Sequence, residues 1–225
     1  MRIVELLHLC DSLFPIGAFG HSDGLESATA SGQVASPDDL RDWLDVCLDE
    51  TIGRTEGPAV RLAWLAIDGG DFERLVAIDG ELHALRPAAA ARTSSRAMGQ
   101  RLLVTWRRLH ADRRIDGVAA LADARRIGPA LPVAFAAASL GAGADVQSAI
   151  EAFAYTRLAA TISAAMRLMA IGQTDAHALL ARTLDRAPAI ARDIVDRDAE
   201  IESFAPAMDI AQMNQQHVHS RLFRS

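Results

Sequence analysis

Lysine is absent: all 23 basic residues of the 225-residue chain are arginine. A G-x-x-x-x-G-K-[ST] phosphate loop, whose lysine reaches the phosphates, is therefore excluded. Cysteine is scarce. Cys10 and Cys47 lie far apart and form no C-x-x-C, which argues against a disulfide framework or a structural zinc site and leaves buried free thiols. No stretch reaches about 18 uncharged apolar residues, the length of a membrane span. The most apolar one, 152–174, is cut by Arg157 and Arg167. Glu5 falls too early for a signal peptide, so a cytoplasmic, membrane-free protein is expected. The net charge of −6 argues against a general nucleic-acid binder. H-E-x-x-H and G-x-S-x-G are also missing.

What is present is apolar and small. Half of the residues are hydrophobic, aromatics make up only 5%, and alanine clusters at 87–92 and 134–144. Alanine is the best helix former, so closely packed helices are expected. Ile3, Leu6, Leu7, Cys10, Leu13 and Phe14 follow helical spacing, and Pro15 and Gly17 end that helix. Residues 15–24 read as a glycine-rich loop and 25–31 as a short helix. Ser36-Pro37-Asp38-Asp39 is a helix start, with a serine cap, proline in the first turn and two acids there. That helix is expected to reach Ile52, and Gly57-Pro58 to begin another. Asp71, Pro87, Asp145 and Asp175 mark further starts. No segment alternates with period two, so no strand is expected. The reading is an all-α, single-domain bundle of about ten helices over residues 1–225, with a hydrophobic central helix at about 150–171 and a flexible tail at 204–225.

Candidate chemistry is thin. His217-Val218-His219 forms an H-x-H: two solvated tail histidines, or two ligands for Ni²⁺ or Zn²⁺ if a third joined them. Between Arg86 and His110 stand six arginines (86, 92, 96, 101, 107 and 108) and no acid. This stripe either pairs with acidic neighbours in the fold or docks an acidic partner. The apolar helix near 150–171 is either core or a subunit interface. No catalytic constellation emerges, and the chain reads as a protein that works by binding other proteins.

Four segments, in order, resemble one family, the urease accessory protein UreF. Residues 13–26, LFPIGAFGHSDGLE, look like its P-x-G-x-[FY]-x-x-S-x-G-[LM]-E loop. Arg92, Ser95, Met98 and Gly99 match a second stretch. Arg167-Leu168 and Gly172-Gln173-Thr174-Asp175 match a third, and SRLFRS at 220–225 matches the family's terminal pattern. Gln215-Gln216 stand where many members carry His-Glu.

The resemblance implies a non-enzymatic, all-α homodimer without a cofactor of its own. It would join a UreD (UreH) protein and the GTPase UreG on apo-urease, with nickel as cargo. Two variants of the role are implied beside the adaptor: regulation of GTP hydrolysis by Arg92 or Arg96, and direct nickel binding by His217 and His219. Partner contacts are expected at Phe19, His21, Ser22, Gly24, Glu26, Arg92, Ser95, Arg96, Arg221, Leu222 and Phe223. Phe19, His21 and Ser22 are expected to face the GTPase. The tail is expected to be loosely held until UreD binds it.

Overall fold

The computed structural model describes residues 2–224. Among them there are twelve α-helices and no strand: α1 Ile3–Cys10, α2 Leu25–Ala30, α3 Pro37–Val46, α4 Gly57–Asp68, α5 Phe72–Ala84, α6 Ala89–Leu109, α7 Arg113–Asp123, α8 Leu131–Gly141, α9 Val146–Leu168, α10 Gln173–Leu184, α11 Ala187–Asp196 and α12 Pro206–Asn214. Short 3₁₀ turns occupy Ala18–Gly20 and Gln215–His217. No described helix is long and apolar enough to cross a membrane.

The helix starts follow local chemistry. Ser36 and Asp39 form a reciprocal capping box at α3, and Asp71 and Asp145 cap α5 and α9 by accepting from Arg74 N and Ser148 N. Besides α1, which ends at Cys10 with Asp11 already extended instead of running on to Pro15, two boundaries differ from the sequence reading. No break precedes Gly57: a π-helical segment, Cys47–Glu56, joins α3 to α4. Pro58 lacks an N–H, and the wider π winding lets the chain pass it without ending the helix, with Gly57 N bonded to Ile52 O. The second difference is α12, which lies in the segment expected as an unstructured tail. Its buried face is carried by only Met208 and Ala211, too few to give a readable period.

Alpha8 is buried along its whole length, as a helix apolar on every side must be. It shares the centre with α9, the helix expected there. Ala149, Ile150 and Phe153 of α9 join a core with α4, α5, α6 and α8. Its later residues, Leu158, Ile162 and Ala165, join a second core with α2, α3, α10 and Phe223. One face of α9 stays open, with Tyr155 exposed.

Candidate functional site: a loop closed by the chain's own tail

The loop after α1 is held at each end and along its length. Phe14 is buried against Trp106 and anchors the start. Gly17 turns left-handed at φ 83°, and Arg101 Nη1 donates to Ile16 O at 3.2 Å. Arg167 Nη1, from α9, donates to Phe19 O at 3.0 Å. Asp23 (φ 51°) and Gly24 (φ 89°) follow in the left-handed region and open α2. A Cβ on Gly24 would stand 2.9 Å from Gln212 N of α12, so glycine is required here by close approach as well as by φ.

The tail closes on this loop. Glu26, buried in the first turn of α2, accepts from Leu222 N at 2.5 Å, Phe223 N at 3.3 Å and the Gln215 side-chain amide. Arg224 N donates to Gly20 O at 2.7 Å. The Phe223 ring is 3% exposed, and the Arg167 guanidinium sits over it at 4.3 Å, a cation–π contact in a partly dry setting. Arg167 therefore binds loop and tail at once.

Beneath the loop lies a buried charge cluster. Arg157 of α9 pairs with Asp23 Oδ2 at 2.8 Å and Glu56 Oε2 at 3.0 Å, and Glu56 also pairs with Arg86. Burial works to raise the Asp23 carboxyl. Arg157, with help from Arg86 and His21, outweighs it and holds Asp23 below the usual carboxylate range. Burial likewise opposes the charge on Arg157, but Asp23 and Glu56 prevail and raise its pKa. Next to it, burial pushes the Cys47 thiol up to about 12, an inert thiol. His21 is lowered, first by burial and further by Arg224, Arg157 and Arg101, with Asp23 opposing.

These positions bear on several expectations. Ser22 is buried, and its Oγ accepts from Glu26 N at 3.4 Å. Glu26, Gly24 and Phe223 serve the chain's own closure. Ser95 is 1% exposed and accepts from Leu131 N, while Asp79 accepts from Gly128 N and Ala130 N. Together they hold the start of α8. Gly99 belongs to the same junction: a Cβ there would meet Pro129 O at 2.0 Å.

Arg92 Nη1 is occupied by the carbonyls of Arg86 and Pro87, and Arg107 pairs with Asp116. The arginine stripe is thus mostly consumed within the fold. Arg96 remains exposed, with Nε 3.1 Å from His83 Nε2. His217 and His219 are exposed, and among the described residues no group of three or more His, Cys, Asp or Glu is placed to hold a metal. Ser225 lies outside the described residues. The tail is docked where loose holding was expected, because Glu26 and Arg167 supply charged partners for its backbone and its ring.

What stays outward is compact. Phe19 (51% exposed), half-buried His21, and the exposed Arg221 and Leu222 (59%) come from the two segments that interlock. Beside them runs an apolar groove of about 780 Å³ between α1 and α9, lined by Val4, Leu7, Phe14, Tyr155, Ala159 and Phe223. Sequence reasoning missed Arg157, Arg167, Glu56 and Gln215. Arg157 was noticed only as an interruption of an apolar helix, and Arg167 as an interruption and as part of a matching stretch. A charge on such a helix is itself a signal, since a buried charge requires a buried partner.

The chain is similar to known proteins along nearly its full length. The UreF family model matches residues 34–184. A urease accessory protein UreF from Lachnoclostridium phytofermentans is 30% identical over 99% of this chain and 98% of its own length. One from Rhodopseudomonas palustris (strain BisB5) is 32% identical over 99% and 91%. One from Geobacillus kaustophilus is 30% identical over 100% and 98%. The segments that carry the resemblance, the fold they build and these relatives agree: the chain belongs to the UreF family of urease accessory proteins.

Proposed function

We propose that the chain is a cytoplasmic, non-catalytic adaptor in urease maturation. It joins a UreD/UreH-like protein to a UreG-like GTPase on apo-urease, and nickel is the cargo of that assembly. The observation that carries this reading is the interlock of loop and tail. The two outermost resemblance segments meet at Glu26 and leave Phe19, His21, Arg221 and Leu222 exposed on the interlocked segments. Exposed aromatic, aliphatic and arginine side chains on a rigid support are what protein recognition uses. The chain acts as a homodimer, and the exposed apolar side chains Ile3, Val4, Leu7 and Tyr155 support that part of the reading.

The test separates contact from folding. Arg221→Ala/Leu222→Ala removes two exposed side chains and leaves Phe223 in place. The variant is expected to keep wild-type helical CD and to lose co-purification with a UreD-like protein; retained co-purification would sink the assignment of the tail. Arg96 is one of the exposed stripe arginines, with Arg101, Arg107 and Arg108. If the chain instead regulates GTP hydrolysis through it, Arg96→Ala lowers the GTPase rate at saturating complex. The adaptor reading predicts an unchanged rate with weaker binding.

A further inference from the structure

Arg157 is only 11% exposed, and it ties the loop to the body of the protein by an ion pair. Its guanidinium spans two elements far apart in sequence, Asp23 in the loop and Glu56 at the end of the π-helical segment. Arg86 completes the group on the other Glu56 oxygen, so two carboxylates and two guanidiniums face each other. Burying such charges gives little net stability over apolar packing of the same volume. What the arrangement does give is a unique geometry, because a guanidinium fork accepts few orientations.

That geometry is needed at one place. Asp23 sits at φ 51°, a left-handed state that costs a non-glycine residue about 1–3 kcal/mol and persists only when its surroundings hold it. The Asp23 side chain is tied there by its ion pair with Arg157. We propose that Arg157 is a positioning residue, fixing from inside the protein the shape in which residues 18–24 are presented to a partner. The proposal rests on reading that loop as partner-facing. It adds a determinant that is itself mostly buried.

Three variants test it in the full chain. Asp23→Ala removes the loop end of the pair. Asp23→Ala/Arg157→Met removes both ends of the loop pair and leaves Glu56 to Arg86, so that no carboxylate is orphaned if Arg157→Met alone fails to fold. Arg157→Lys keeps the charge without the fork. The first two are expected to speed amide exchange across 18–24 by about tenfold while 146–168 stays protected. They are also expected to weaken binding of a UreG-like GTPase by about tenfold. Arg157→Lys is expected to restore part of both. Loop exchange or GTPase affinity within about twofold of wild type in both variants overturns the proposal. Phe19→Ala, which leaves every anchor of the loop in place, isolates the underlying reading. If it binds the GTPase as wild type does, the partner assignment is what failed, and the exchange result alone then decides whether Arg157 positions the loop.

Discussion

At Glu26 a single carboxylate receives two backbone amides and a side-chain amide from residues almost two hundred positions away. Hydrogen bonds to a buried charge contribute about 1.5–3 kcal/mol each, and orphaned donors add a desolvation cost. Glu26→Ala is therefore expected to destabilise by about 2–4 kcal/mol in urea unfolding and to free residues 215–224 to rapid exchange. An unchanged midpoint would show that the tail is held by Phe223 alone. His21 makes a pH prediction. Its folded pKa lies below the ordinary value, so the unfolded state binds the proton more readily. Its contribution is complete above about pH 6.5 and is lost as pH falls through the folded value. The melting temperature should drop between about pH 7.5 and 5.5, and His21→Gln should flatten that slope. Single residues are also where the sequence is ambiguous. Ser22, Glu26 and Ser95 are expected by resemblance as contacts, but a motif marks a position as required without saying whether a partner or the chain's own backbone requires it.

At the scale of elements, several helix starts with capping chemistry were readable. Ser36, Asp71 and Asp145 announce α3, α5 and α9 because an N-cap is a local event within four residues. The π-helical segment and α12 depend on distant partners instead. Thr55 bonds to Glu202 O, and Gly24 lets α12 approach. Two glycines give opposite predictions. Gly99→Ala would drive a methyl to 2.0 Å from Pro129 O at the α6–α8 junction. It is expected to cost about 3 kcal/mol or more, or to prevent folding. Gly80 lies inside α5, where an added Cβ meets nothing within 4 Å. Gly80→Ala is expected to stabilise by about 0.5–1 kcal/mol. Thermal melts of the two variants compare a steric requirement with a helix propensity. A tolerated Gly99→Ala would mean that α6 and α8 do not pack this closely.

For the whole molecule, composition carried the fold class and resemblance carried the role. Small side chains allow α8 to be enclosed on every side and α9 to run through both cores. The sequence could not show that the chain's two outer resemblance segments lock together, since that contact spans nearly its full length. The exposed Phe19, Arg221 and Leu222 stand on supports that are themselves buried. The central claim is that this surface bridges two accessory proteins. Light scattering after size-exclusion chromatography of the chain mixed with a UreD-like protein and a UreG-like GTPase tests it directly. One particle holding all three is predicted, and it should lose the UreD-like component when Arg221 and Leu222 are replaced by alanine. Three separate species from the wild-type mixture, or a complex indifferent to both substitutions, would contradict the account.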